Sequence, residues 1–597
     1  MPTYNAPIRD MQFVVHEMLN ATDTLTQYEK FSDAERDLFD AIMEEGAKFT
    51  SEVLAPLNAV GDHEGCTRHA DGSVTTPTGF KDAFKTMVEN GWLSLSQDPE
   101  YGGQGLPGLL HIASGEMQSA ANMAFAMYPG LTNGAIKAIE IGGSDEQKQT
   151  YLPKMIQGEW TGTMNLTEPH CGTDLGLLKT KAVPNPDGSY NITGQKIFIS
   201  AGEHDMSENI VHLCLARIEG APEGVKGISL FIVPKYKLDK DGNPDERNTV
   251  VCGSIEEKMG IHGNSTCVMN YDDAEGYLIG EENKGLKVMF VMMNRARLDV
   301  GMQGLAQSEV AYQNAAAYAK DRTQGRALTG PVNDNGAADP IIVHPDVRRM
   351  LMETRAFNEG ARALIYWATM LEDLEGVHED EKFREKADDY LGLLTPVIKG
   401  YLTDMAMRTT IDCQQIFGGH GFIEEWGMSQ FVRDTRIALI YEGANGVQAL
   451  DLVGRKLARK GGRALMTLSS EIDAFAKEHE GNENIAEFTT GLKDAKAKLQ
   501  DATMWLMQNG MTNPNNAGAG SVDYMHMMGL TALAYMWTKM AVTAQAAIDG
   551  GSNDAFYSNK LITGRFFMAR MLPQIDAHLT KLKTGAEPVM ALAAEAF

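Results

Sequence analysis

Between residue 163 and about residue 280 the chain stops spacing its apolar residues for helices and begins spacing them for strands. This switch constrains the fold more than any other feature, because a period of two and a period of 3.6 cannot serve the same element. Ahead of it, residues 1–160 read as helical. Apolar residues recur at helical spacing over 38–54 and 109–127, with Gly/Pro breaks around 101–107. Inside the block, VPNPDGSYNITGQKIFIS carries a hairpin signal at Asp187-Gly188, and GISLFIVPK is a short buried-strand run that ends at a proline. Helices return from Gly285 to about Arg455. Beyond them Ile485, Phe488, Leu492, Ala495, Leu499, Ala502 and Trp505 form one apolar stripe. The polar stretch NGMTNPNNAGAGS predicts a loop before a further helical pair. At 597 residues the chain exceeds what one core supports. The expected class is therefore α+β and multidomain, with helices over 1–162, a β-module over 163–284, helices over 285–455 and extra helices over 456–597. A β-module set between helical domains suggests a cofactor at a domain junction.

Charge narrows the partners. The net charge is -27, and residues 451–597 balance 15 acids against 15 bases, so the first 450 residues carry all of the excess. An acidic surface repels phosphate backbones, which argues against nucleic acid. The neutral tail reads as one that packs on protein. Six cysteines are scattered without a C-x-x-C pair, as in a reduced, cytoplasmic protein. The first residues lack the pattern of a signal or transit peptide, and no apolar run is long enough to predict a membrane span. DKDGNPDE begins like a calcium loop, but Val250 stands where the bidentate glutamate belongs, so a surface turn and no metal site are expected.

Three segments could carry chemistry. MNLTEPHCGTD, from Met164, would end a strand and enter a Gly-containing turn whose N–H groups and the hydroxyls of Thr167 and Thr173 could face a phosphate or a polar heterocycle edge. From composition alone a plain turn with threonine caps is the favoured reading. QQIFGGHGF, residues 414–422, has a glycine pair that permits close backbone approach to a ligand, or simply caps a helix. IALIYEGANGVQALDL, from Ile437, sets Glu442 among apolar residues. A desolvated carboxylate there would suit a general base facing a weak carbon acid. The alternative is a surface helix with Glu442 in its first turn.

Taken together, these segments resemble the acyl-CoA dehydrogenase family. The family signature TEPxxGSD is here TEPHCGTD, GQKxWITNG is GQKIFISAG, and KMGIxxSxT is KMGIHGNST. QxFGGxGF is QIFGGHGF, and RDxRIxxIYEGxxxIQ is RDTRIALIYEGANGVQ. Five such matches in order over roughly 280 residues are unlike coincidence. The resemblance implies a helical N-domain, a middle β-barrel and a C-terminal four-helix bundle, with FAD between the last two and an additional helical domain at the end. It implies that Met164, Leu166 and Thr167 line the flavin, and that Gly172 and Thr173 meet its pyrophosphate. Phe198 would stand in for the family's stacking tryptophan and Ser200 for its threonine. Arg322, Gln415, Gly418 and Gly419 would reach the FAD of the other subunit. Asn294 and Arg297 would hold the pantetheine–phosphate arm, Tyr441 and Gly443 would touch substrate, and Glu442 would be the base.

Some positions depart from the family pattern. Ala444 and Gly446 replace its usual Thr and Gln, RTQGRA lacks its aromatic, and Ala296 occupies the alternative position for the base, which leaves Glu442 without a rival. The implied reaction is α,β-dehydrogenation of an acyl-CoA thioester to the trans-2-enoyl-CoA. An electron-transfer flavoprotein would be the acceptor and the assembly a homodimer. Bulky Met123, Phe125, Met127 and Tyr128 on the helix expected to floor the acyl pocket suggest a short or medium acyl group; packing of the helical core accounts for them at least as well. Two other readings share the scaffold. An acyl-CoA oxidase would depart further from TEPxxGSD, and a DNA-associated flavoprotein would need a basic C-terminal domain.

Overall fold

The computed structural model describes residues 2–597, apart from the side chains of Val291 and Asn294, so the expected Asn294 contact lies outside the described residues. The chain divides into two compact units, Glu45–Asp299 and Met1–Glu44 with Val300–Phe597.

In the first unit, α1 (Gly108–Ala121) and α2 (Met123–Gly142) precede nine strands. These are β1 (Trp160–Asn165), β2 (Lys181–Pro184), β3 (Tyr190–Ser200), β4 (Asn209–Ile218), β5 (Ser229–Pro234), β6 (Tyr236–Leu238), β7 (Pro244–Arg247), β8 (Val250–Ile255) and β9 (Thr266–Ile279). Pairing runs β9–β3–β2–β4–β5 and returns from β5 to β9, so the sheet closes on itself as the expected barrel. Closure leaves no sheet edge among these five strands. Alternation on β4 shows why this block reads as buried on both faces. Leu213 and Leu215 pack with Ile136, Ile139 and Leu152 of the flanking helices, while Cys214 and Ala216 pack with Ile192 and Phe231. The hairpin between β2 and β3 turns at Gly188, φ +91°, with the Asp187 carboxylate accepting from the N–H of Ser189. The calcium-like segment is a turn between β6 and β7, its Asp239 carboxylate accepting the N–H groups of Asp241 and Asn243. Met123, Phe125, Met127 and Tyr128 are all buried, and the Tyr128 hydroxyl donates to the Gly263 carbonyl and accepts the Ser265 N–H. They fill the core, so acyl length cannot be read from their bulk.

The second unit is helical. It holds helix α3 (Gly285–Asp321) from Val300 onward, then α4 (Pro345–Glu375), α5 (Glu381–Ile416), α6 (Met428–Arg436), α7 (Asn445–Asp451), α8 (Arg463–Glu478), α9 (Ala486–Thr512), α10 (Pro514–Asp549), α11 (Ala555–Phe566) and α12 (Gln574–Thr584). The apolar stripe of α9 is buried from Ile485 to Ala502, with Trp505 half-buried. The expected polar loop over 509–521 is a correction: it is helical except at Asn513, whose side chain caps α10 by accepting the Asn515 N–H. Burial of Gly520 and Ser521 outweighs their weak helix propensity.

Two features tie the extra helices to the bundle. At the crossing of α5 and α10, a Cβ on Gly529 would stand 2.3 Å from the Tyr401 ring, and one on Gly400 would stand 2.3 Å from the Met525 sulfur. Only glycine allows this approach. Elsewhere Asp10, Glu309, Glu359, Arg362 and Lys560 form a buried ionic cluster. Lys560 meets Glu359 at 2.7 Å and also pairs with Asp10, and Arg362 bonds Asp10 and Glu309. The cluster joins the first turn of the chain to α11.

Candidate active site

On the barrel, the loop after β1 is bolted down by two motif residues. Glu168 is buried, and its carboxylate accepts the N–H groups of Lys179 and Thr180 at 2.8 and 3.0 Å and the Thr180 hydroxyl at 2.6 Å. The fourth partner is the wholly buried Lys196 of β3, at 2.8 Å. Burial works against ionisation of Glu168, but Lys196 and these donors overcome it and hold the carboxyl below its usual range. Lys196 also donates to the Leu166 carbonyl, and the Ile197 N–H donates to that of Thr167. The acid of TEP and the lysine of GQK are thus the frame behind the candidate flavin wall. Leu166 and Thr167 are left half-exposed, as is Met164, while Gly172 and Thr173 are exposed on the turn beyond.

Where β3 ends, its register against β9 slips. Lys196 pairs with Met269 and Ile199 with Cys267, so Ile197 and Phe198 together oppose one residue. This bulge re-aims the strand. Phe198 takes a left-handed φ of +59° with 60% of its surface exposed, and Ser200 beside it is half-buried. A bulky residue in that region is strained, and an exposed ring forgoes burial. Two unfavourable features on one aromatic make it a candidate surface for a flat ligand. We expect Phe198→Ala to weaken FAD binding about tenfold to a hundredfold, the usual scale of ring stacking, while leaving the FAD-free protein as stable as before. Flavin titration followed by fluorescence, with melting of both apoproteins, measures this. Equal FAD affinity would remove the stacking role. Arg297 of α3 is buried in this same unit.

In the helical unit, α5 gives way to Gly418, φ +57°, and Gly419. No atom lies within 4 Å of where a Cβ would stand on either. Gln415 and Arg322 are exposed. Beneath the glycine pair, Tyr318 stacks on Phe417 and Trp426 on His420, with ring centres 4.1 and 4.4 Å apart. This aromatic support was not singled out in the sequence.

Glu442 sits between α6 and α7, ahead of the helix rather than in its first turn. It is half-buried, and both it and Gly443 are left-handed, with φ +55° and +85°. For a glutamate this conformation persists only when the surroundings over-determine it. Three side chains do so. Gln448 donates to the Glu442 carbonyl at 2.8 Å, and Lys399 donates to the Gly443 carbonyl at 2.8 Å and to Asn445 Oδ1 at 2.7 Å. Any Cβ on Gly443 would stand 2.6 Å from Gln448 Nε2. The Tyr441 hydroxyl is bonded to Gln303. Lys399 and Asn445 escaped the sequence reading. The one available signal was a lysine at a buried spacing in TPVIKGYL.

Comparison with known proteins covers nearly the whole chain. Residues 39–159, 163–274 and 283–457 match the acyl-CoA dehydrogenase N-terminal, middle and C-terminal domains, and 468–593 match an acetyl-CoA dehydrogenase C-terminal-like domain. The chain is 43% identical to 3-methylmercaptopropionyl-CoA dehydrogenase of Ruegeria pomeroyi over 98% of its own length and 99% of that protein's. It belongs to the acyl-CoA dehydrogenase family. Among solved structures, butyryl-CoA dehydrogenase of Megasphaera elsdenii is 26% identical, with a TM-score of 0.58, 70% of this chain covered and 98% of that one. Caenorhabditis elegans ACDH-11, in complex with C11-CoA, shares the fold over 99% of this chain and 95% of its own, with a TM-score of 0.80 at 18% identity. As an acyl-CoA dehydrogenase, the chain is an FAD-dependent oxidoreductase that forms a double bond between the α and β carbons of an acyl-CoA thioester. The bulged, exposed Phe198 fits such a cofactor. Among the described residues no helix is long and apolar enough to cross a membrane.

Proposed function

We propose that Glu442 removes the α-proton of a short acyl-CoA thioester, 3-methylmercaptopropionyl-CoA being the leading candidate, as the β-hydrogen departs as hydride. FAD, when bound, supplies the hydride acceptor. The observation that carries this reading is the Tyr441–Ala444 turn. Its two left-handed residues are fixed by Gln448 and Lys399 through their carbonyls, which holds in place the backbone that carries the Glu442 carboxylate. Holding the base still lowers the entropy cost of reaching a weak carbon acid. The Glu442 N–H is then a donor for charge growing on the thioester oxygen.

In this reading Met164, Leu166, Thr167 and Ser200 face the flavin ring beside Phe198, and Gly172 and Thr173 face its pyrophosphate. Arg322, Gln415, Gly418 and Gly419 serve the FAD of a partner copy, which makes the working unit a homodimer. Exposure of all four, and open space over both glycines, supports that assignment. Arg297 and Asn294 hold the phosphate–pantetheine arm, and Tyr441 and Gly443 contact the acyl end. An electron-transfer flavoprotein is the acceptor, in the cytoplasm. We divide the chain at 162/163, 284/285 and 455/456; the family segments 39–159, 163–274, 283–457 and 468–593 fall within two residues of these cuts or short of them. Identity to a relative named for a short thioester supports the substrate. Steady-state rates on thioesters from propionyl to palmitoyl, with 3-methylmercaptopropionyl-CoA among them and an artificial acceptor, test it. The highest kcat/KM is expected among the short chains, and a palmitoyl-CoA optimum would overturn the substrate assignment.

A further inference from the structure

Extra helices follow the segment that carries Glu442, and α10 lies directly against α5 because Gly529 and Gly400 remove the side chains from the crossing. One polar contact lies at this crossing. His526 of α10 sits with Nε2 2.9 Å from Asp404 Oδ2 of α5, its ring edge-on to Tyr401 at 5.2 Å. The other oxygen of Asp404 accepts from Asn445 Nδ2 at 2.7 Å. Asn445 is the first residue of α7, and its own Oδ1 accepts from Lys399, which donates to the Gly443 carbonyl. An unbroken run of four hydrogen bonds therefore leads from the extension to the residue beside Glu442. Behind His526, the ring of His578 on α12 stands 5.0 Å away and is anchored by Asp523 at 2.7 Å.

This run ends on the part of the chain that most needs restraint. A left-handed glutamate is strained and relaxes unless it is held. Lys399 holds the turn, and Asn445 fixes Lys399 from one side. Asn445 Nδ2 faces three acceptors, the Gly400 carbonyl at 3.0 Å, the Thr403 hydroxyl at 2.9 Å and the Asp404 carboxylate at 2.7 Å; Asp404 is the charged and shortest of them, so it is the strongest restraint on the amide. Asp404 has two oxygens, and the extension takes the one that Asn445 leaves.

We propose that His526 and Asp404 are positioning residues for the Glu442 turn, so that the C-terminal extension takes part in setting the geometry of proton abstraction. This rests on the reading of Glu442 as the base. The test uses the full-length, FAD-loaded enzyme with His526→Phe, Asp404→Leu and Asp404→Asn. Phenylalanine keeps the packing against Tyr401 and His578 but removes the hydrogen bond. Asparagine can still accept from Asn445 and face His526, whereas leucine can do neither. The readouts are kcat, KM, flavin content, melting temperature and α-proton exchange into deuterated water on a thioester that cannot be oxidised.

His526→Phe and Asp404→Leu are expected to slow both kcat and exchange about tenfold, the scale of a small misplacement of a reacting group. KM and flavin content should stay close to the parent values, and Asp404→Asn should restore most of the rate. Parent-like exchange in His526→Phe and Asp404→Leu overturns the proposal. So does a loss that only tracks flavin content or melting temperature across all three variants. If Asp404→Leu does not fold, His526→Phe decides alone. Glu442→Gln run alongside separates the two ideas: exchange surviving in it removes the base itself, whereas exchange lost in it but intact in His526→Phe removes only the role of the extension.

Discussion

Glu442→Gln lowers turnover by about two to four orders of magnitude, the range that a positioned general base supplies, while thioester binding and flavin content stay near those of the parent. Glutamine matches glutamate in size, so it can occupy the same left-handed turn with Gln448 and Lys399 still holding the carbonyls of residues 442 and 443. What it lacks is an oxygen that can take a proton. The α-proton then has no acceptor, and exchange into deuterated water stops together with turnover. The acidic limb of the kcat/KM profile, which follows deprotonation of the base, should vanish in the variant. The measurement is a pair of pH–rate profiles with equilibrium binding of a thioester alongside. Near-normal turnover in Glu442→Gln would sink the assignment.

Lys560→Met lowers stability by about 3–5 kcal/mol, because it strands buried carboxylates that lysine had neutralised. Burial alone would push the Asp10 carboxyl up. Lys560 and Arg362 outweigh it and hold that carboxyl below its ordinary value. A depressed carboxylate adds stability above its unfolded value, about 4, and that stability is lost as pH falls through the folded one. Removing Lys560 raises the folded value of Asp10, so the variant surrenders stability near neutral pH and begins acid unfolding at a higher pH than the parent. Urea unfolding at neutral pH and an acid titration followed by circular dichroism read both effects. Unchanged midpoints in both would show that Arg362 alone satisfies the cluster.

The sequence made some of these features readable and hid others for physical reasons. The barrel could be read because the apolar spacing of the 163–280 block changes period and its strands end at turn residues such as Asp187 and Gly188. TEPHCGTD and GQKIFISAG were conspicuous as motifs. Their internal division of labour was not, because Glu168 and Lys196 lie 28 residues apart and meet only when β3 folds back beside the loop. Phe198 was visible as an aromatic, but its exposure and backbone strain depend on a bulge that needs β9 for its definition. Lys399 is 44 residues from the carbonyl that it holds, beyond any local pattern. The 509–521 segment misled because Asn and Gly favour turns in isolation, while here one asparagine caps a helix that buries Gly520 and Ser521.

The ionic cluster also sets a timetable for synthesis. Its Asp10 leaves the ribosome first, and Lys560 follows 550 residues later, roughly half a minute at the fastest translation rates. Until then the Asp10 carboxylate has only the Arg362 guanidinium to meet it, and that follows 352 residues behind. The barrel unit, Glu45–Asp299, is fully synthesised before either basic partner of Asp10 appears. A ribosome that stalls before α11 thus releases an ionic cluster that lacks its lysine.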